Sequence, residues 1–271
     1  MSLMHVYLIN LERRPDRLDK MTRQLDRLGV PFTRIEAVDA RGTPDRELAA
    51  HFSDSGPLGI IPKGDKCCAL SHVRAWKALV ASGNSHGVFL EDDVALDEDA
   101  APLLRHADWV PHRVDLLKLE RFGPPTQRVL LDARVPVSAR HRIGRLRSRH
   151  TGAAAYILSR HGALSLLERA GPWALPVDHM LFNPNNSPVA NILRPYQLTP
   201  AIAHQSEALG GCSDIREWRA MLRQFDWTYA KREVLRAYYE LRLLPQQILS
   251  ALRRECALVT VDERREVPFA R

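Results

Sequence analysis

Gly87-Val-Phe-Leu-Glu-Asp-Asp-Val-Ala-Leu96 is the stretch on which the reading of this chain turns. Val88-Phe-Leu90 is a short apolar run of the kind that forms a buried strand. It stops at three consecutive carboxylates, Glu91, Asp92 and Asp93. A carboxylate is costly to bury unless a positive charge meets it. Acids also suit the first turn of a helix, but three directly on the end of an apolar strand exceed what a helix start needs. Hard oxygen ligands suit Mg²⁺ or Mn²⁺, which bind through one or two carboxylates and keep water and substrate phosphates as their other ligands. The expectation is a cation, and with it a diphosphate, at the mouth of a sheet.

Upstream, His5-Val-Tyr-Leu-Ile9 is rich in β-formers and reads as a first strand. Pro15 suits the first turn of a helix, Leu18, Met21, Leu25 and Leu28 recur at helical spacing, and Gly29 closes it. Thr33 to Val38 is a second strand, and the order strand, helix, strand predicts a parallel sheet. Residues 41–65 form a long connection rich in Gly and Pro, of the kind that often carries function. A helix from about Lys66 to Ala81 leads into the acidic strand. Downstream, Leu116 to Leu119 and Ala153 to Leu158 read as strands, and Ser159 as the cap of a helix running to Ala170. Pro176-Val-Asp-His179 falls in a Pro-rich turn, and Pro195–Pro200 and Ala201–His204 are short extended pieces. From about Arg216, Trp218, Met221, Leu222, Val234, Leu235, Tyr238, Leu241 and Leu244 give an amphipathic helical pattern.

Composition is that of a globular protein, 45% hydrophobic and 26% charged, with apolar runs too short to span a membrane. Cys67, Cys68, Cys212 and Cys256 show no CxxC spacing and read as reduced thiols of a cytoplasmic protein. The net charge is +7, which favours an anionic partner: a nucleotide-linked substrate, an anionic membrane surface or nucleic acid. Arg121–Arg149 holds eight arginines against one acid, Asp132. Such a run is usually a solvated loop or hairpin, and it can also face an anion. Aromatics are not interleaved with it, so nucleic acid is not the expected partner. The sequence has no GxGxxG after the first strand, no Walker A loop and no GxSxG. Ser71 and His72 are helical neighbours pointing apart and form no nucleophilic dyad. His204 is a candidate third metal ligand or a structural histidine; Asp178 is a candidate general base or a helix cap.

Taken in order, Val6-Tyr-Leu-Ile-Asn-Leu-Glu-Arg-Arg-Pro-Asp-Arg17, Ala37-Val-Asp39, Cys68-Ala-Leu-Ser-His-Val-Arg-Ala-Trp76, Phe89-Leu-Glu-Asp-Asp93, Thr151–Ser159 and Pro176-Val-Asp178 resemble glycosyltransferase family 25 across residues 4 to 205. The resemblance implies a GT-A-type αβα sandwich with a mostly parallel central sheet and a DxD-type motif, here Glu91-Asp92-Asp93. It implies an inverting, metal-dependent hexose transfer, galactose from UDP-galactose, onto a lipooligosaccharide or other cell-surface glycan or glycolipid acceptor. On that basis Glu91, Asp93 and His204 hold Mn²⁺ or Mg²⁺. Leu8, Asn10, Arg13, Arg17, Asp39, Ser71, His72 and Asp92 face the donor, since nucleotides bind at the carboxyl edge of such sheets. Asp178 is the base that deprotonates the acceptor. Residues 4–212 form the transferase domain and 213–271 a helical extension able to touch an anionic membrane surface. A non-catalytic glycan- or nucleotide-binding protein of the same fold is the alternative. The chain departs from the family pattern at Cys67, where the family has Gly before Cys, and in the Arg-rich run and the tail.

Overall fold

A computed structural model describes residues 4–53, 56–169, 171–205 and 227–262. The domain boundary expected at 212/213, Cys212, Trp218, Met221 and Leu222 lie outside the described residues.

Strand β1 (His5–Asn10) is buried from Val6 onward, because both of its faces are covered by helices. It is hydrogen-bonded in parallel to β2 (Phe32–Glu36) and β3 (His86–Glu91). The helical crossovers that parallel neighbours require are α1 (Pro15–Arg27) and α3 (Lys63–Ser82), with the short α2 (Asp45–Ala49) in the intervening loop. Pro15 stands in the first turn of α1, and Gly29 turns the chain after it at φ +61°. Alternation along β1 sorts its side chains. Tyr7 and Ile9 join Trp76, Phe89, Tyr156 and Phe182 on one face, while Val6 and Leu8 join Met21, Leu25, Val88 and Leu90 on the other.

Past β3 the sheet changes character. Strand β4 (Val94–Leu96), a 3₁₀ turn (Glu98–Ala100) and α4 (Ala101–Arg105) lead to β5 (Leu116–Lys118) and β6 (Glu120–Arg121). The Arg-rich run becomes hairpin strands β7 (Arg128–Asp132), β8 (Val135–Pro136) and β9 (Arg142–Arg145). Then follow β10 (Ala155–Ser159), α5 (Arg160–Glu168), α6 (Val177–Phe182), α7 (Pro188–Leu193), β11 (Tyr196–Thr199) and β12 (Ala203–Gln205). The main sheet has eight strands in the order β2-β1-β3-β10-β5-β11-β9-β8.

The α/β class and the two helical layers are as expected; the mostly parallel sheet is not. Three pairings are parallel and four, β3–β10, β10–β5, β11–β9 and β9–β8, are antiparallel. Between β5 and β10 the chain makes hairpin strands rather than a crossover helix, so its strands return in the opposite sense.

Two smaller sheets flank the main one, the first following directly on β3 and the second lying beside β9. One orders β4-β12-β6; the other pairs β7 with β13 (Cys256–Thr260). The C-terminal segment is therefore not only helical: after α8 (Trp227–Leu252), β13 ties it back to the domain.

Ser159 caps α5 as the sequence predicts, its Oγ accepting from Gly162 N at 2.9 Å while donating to Asp115. Replacing Ser159 with Ala should cost about 1–2 kcal/mol, read as a lowered urea midpoint at unchanged m-value; an unchanged midpoint would remove the cap from the account.

Candidate functional site

A polar chain crosses the core beneath the end of β3. Trp76 Nε1 donates to the Tyr156 hydroxyl at 2.8 Å. Tyr156 Oη lies 2.8 Å from His72 Nδ1, and His72 Nε2 lies 3.1 Å from Glu91 Oε1. An indole N–H can only donate, so the tyrosine accepts from Trp76 and passes its own proton toward His72 Nδ1. That leaves the imidazole proton on Nε2, donated to the Glu91 carboxylate. Burial pushes the Tyr156 hydroxyl well above its ordinary pKa, which keeps it a donor. The ring is also clamped by stacking, 5.0 Å from Phe89 and 5.6 Å from His72 between centroids. Trp76 and His72 lie four residues apart on α3, one above the other on the same face.

Cys68 Sγ, from the turn below, also donates to Glu91 Oε1, at 3.8 Å. Cys68, His72 and Glu91 are the group among the described residues whose ligating atoms all lie within 4.8 Å of one another. It is a poor metal site: His72 Nε2 is spent on Glu91, and burial, then Glu91, pushes the Cys68 thiol far above its ordinary range. The group instead orients Glu91, both inward contacts landing on Oε1.

Asp92 points the other way. Asn10 Nδ2 donates to its Oδ2 at 2.8 Å and Arg17 to its Oδ1 at 2.9 Å. Burial raises its pKa, and Arg17 and Asn10 oppose the rise. Asp93 feels the Arg17 charge but lacks a matching hydrogen bond. Its Oδ1 is buried without a hydrogen-bond partner, and its carboxyl is pushed from 3.8 to about 7, first by burial and then by Glu91 and Asp92. A buried carboxylate oxygen with no donor, beside two further acids, suits a hard cation.

Other carboxylates converge here. Around Cys68 lie Glu91, Asp65, Asp178 and Asp93. Asp178 sits in the first turn of α6 and accepts from Gly152 N at 3.3 Å. Beneath them is a pair at 0% exposure: Lys118 Nζ donates to Glu120 Oε1 at 2.8 Å and to Thr151 O at 3.1 Å, and also bonds Gly152 O. Glu120 Oε1 in turn accepts from Ala154 N at 2.8 Å, and Glu120 Oε2 is buried without a partner. Gly152, at φ +91°, lets the loop pass over this pair; a Cβ there would lie 2.9 Å from the Phe122 ring and 3.0 Å from Glu120 Oε1.

The structure thus brings together Glu91, Asp92, Asp93, Asn10, Arg17, His72 and Asp178, and sets three expected residues apart. Leu8 is fully buried in the core, its side chain facing away from any ligand edge because β1 is covered on both sides. Ser71 Oγ is used structurally, accepting from Val38 N and donating to Cys67 O, each at 2.8 Å. His204 pairs with Ala95 across β12–β4 and belongs to no ligand cluster with Glu91 and Asp93 among the described residues. Arg13 and Asp39 form their own ion pair at 2.6 Å on the partly exposed rim. Sequence reasoning missed Asp65, Tyr156, Lys118 and Glu120. For the last two a signal exists: in Leu116-Leu-Lys-Leu-Glu120 two charges stand two residues apart on one face of an apolar strand.

Strand-end acids aimed by a buried relay converge at the carboxyl end of β3 in an α/β sheet. Residues 4–181 match the family described as Glycosyltransferase family 25 (LPS biosynthesis protein), and the chain belongs to that family. It is 30% identical over 182 residues to the lipooligosaccharide biosynthesis protein lex-1 of Haemophilus influenzae, a match covering 61% of this chain and 59% of that one. It is 27% identical over 190 residues to the lacto-N-neotetraose biosynthesis glycosyltransferase LgtE of Neisseria meningitidis, covering 65% of each. The chain therefore spans less than two thirds of either relative. A solved glycosyltransferase involved in glycosylation of the PBCV-1 major capsid is similar at TM-score 0.36 and 9% identity, covering 81% of this chain and 98% of that one, a likeness too weak to carry an argument.

Asp93 holds its proton more tightly folded than unfolded, so its contribution to stability is present below about pH 4 and is lost as pH rises through about 7. Without divalent cations, Asp93→Asn should therefore melt higher than the parent chain at pH 8 and nearly equal to it at pH 4. A pH-independent difference in melting temperature would contradict this.

Proposed function

We propose that the chain is an inverting glycosyltransferase that moves a hexose, galactose from UDP-galactose, onto a lipooligosaccharide or other cell-surface glycan. The observation that carries this reading is the orphaned, buried Asp93 Oδ1 amid Glu91, Asp92 and Asp178 at the carboxyl end of β3. Membership of family 25 gives the reaction class.

The residues fit a divalent cation, Mn²⁺ or Mg²⁺, with Asp93 and the outer oxygen of Glu91 as its holders. When bound, such an ion neutralises charge developing on the leaving nucleotide diphosphate. The chain's own groups do the rest. His72 and Cys68 fix Glu91 from below. Asn10 and Arg17 hold Asp92 toward the N-terminal arm, where Arg13 and Asp39 form a polar rim suited to a nucleotide. Asp178 takes the proton from the acceptor hydroxyl; its Oδ2 leans on Gly152 N, which holds the carboxylate at the mouth of the site. Lys118, buried beneath, offsets part of the surrounding negative charge. Among the described residues no helix is long and apolar enough to cross a membrane, and Cys67, Cys68 and Cys256 are free thiols, which agrees with action at the cytoplasmic side of a membrane.

A panel of UDP-hexoses with Mn²⁺ tests the donor: UDP-galactose should raise the melting temperature most, and only with the metal present. Asp178→Asn should keep that shift while turnover falls about 100-fold or more. Near-parental turnover removes Asp178 from the base role. Donor binding with no turnover by the parent chain points to a non-catalytic nucleotide-sugar-binding protein.

A further inference from the structure

A cavity of about 580 Å³ opens between the Arg-rich strands and α8. Arg145 and Arg147 line it from the end of β9, Asn185 and Asn186 from the turn between α6 and α7, and Arg242 from α8. Among the described residues no carboxylate lines it. Arg147 is already paired with Asp132 at 2.6 Å. Arg145 is different: its Nε is buried with no hydrogen-bond partner. Asn185 Oδ1 and Asn186 Oδ1 are likewise buried and unpartnered. Buried polar atoms are almost always satisfied, and three orphans on residues that line one cavity point to a ligand that supplies both kinds of partner. A guanidinium takes an anion, and side-chain amides take hydroxyls. A sugar carrying a phosphate or a carboxylate offers both.

The cavity wall is also tied to the site. Ser187 Oγ donates to Met180 O at 2.6 Å, fixing the 184–188 turn onto α6. Asp178 stands at the other end of that helix, whose six residues span about 9 Å.

We propose that this cavity binds an anionic saccharide, its charged group on Arg145 and Arg242 and its hydroxyls on Asn185 and Asn186. Its assignment as the acceptor side of the reaction rests on the glycosyltransferase reading; the binding does not.

Calorimetric titration of the full chain with galactose 6-phosphate, galacturonate, galactose and inorganic phosphate tests it. At least one anionic sugar should bind saturably, with galactose and inorganic phosphate weaker by about tenfold or more. The two anionic sugars distinguish phosphate from carboxylate as the charged group. Arg145→Ala should weaken binding by about tenfold or more. So should Arg242→Glu, whose exposed position on α8 leaves the fold intact. Asp93→Ala should leave it unchanged. The proposal is overturned if neither anionic sugar binds, if galactose or inorganic phosphate binds as tightly, or if Arg242→Glu has no effect. Anionic-sugar binding in a chain without transferase turnover would uphold the cavity and sink the transferase reading; turnover without such binding would do the reverse.

Discussion

The hydrogen-bonded chain from Trp76 through Tyr156 and His72 to Glu91 is the constraint on which the site depends. It runs from α3 to β10, back to α3 and out to the end of β3, so it sets two layers of the sandwich against each other. Each buried member would be left without a partner if its neighbour moved, and an unsatisfied buried polar group costs about 1–3 kcal/mol. The four-residue spacing of His72 and Trp76 is what puts both on one face of α3 and under Tyr156. The carboxylate that ends β3 is thereby aimed from inside the core, not from the surface.

Around that fixed point the fold concentrates negative charge and balances it incompletely. Arg17 and Asn10 meet Asp92, and Lys118 meets Glu120, but nothing meets Asp93 Oδ1. Ion pairs as deeply buried as Lys118–Glu120 are weak contributors to net stability, because desolvation offsets attraction. This pair has a geometric consequence instead: it gathers the backbone of Thr151, Gly152 and Ala154 and so places the Gly152 amide under Asp178. Two acids distant in sequence, one on β3 and one on α6, are brought to one mouth by that loop.

Much of this was legible in the chain. The β1–α1–β2 unit, the acidic end of β3 and the Ser159 cap follow from local rules: periodicity, turn residues and side chains that satisfy helix ends. What local rules do not contain is strand direction. Ala153 to Leu158 reads as a strand, yet nothing in its pattern says that it runs antiparallel to β3, and so the sheet is mixed. Partner identity is equally silent. His72 reads as a donor-facing group, whereas its two nitrogens are committed to Tyr156 and Glu91; Ser71 is taken by backbone; Leu8 is core. His204 lies on β12 opposite Ala95, and nothing local in the sequence names that strand partner. The pairing of β13 with β7 is a long-range contact that a helical-looking tail gives no hint of.

The direct test of the account is the protonation of His72, read by ¹⁵N NMR of the histidine rings in the intact chain. The relay predicts the ring proton on Nε2, donated to Glu91, and a bare Nδ1 accepting from Tyr156, with a signal that changes in Tyr156→Phe. A proton on Nδ1 would contradict it and break the relay between Tyr156 and Glu91.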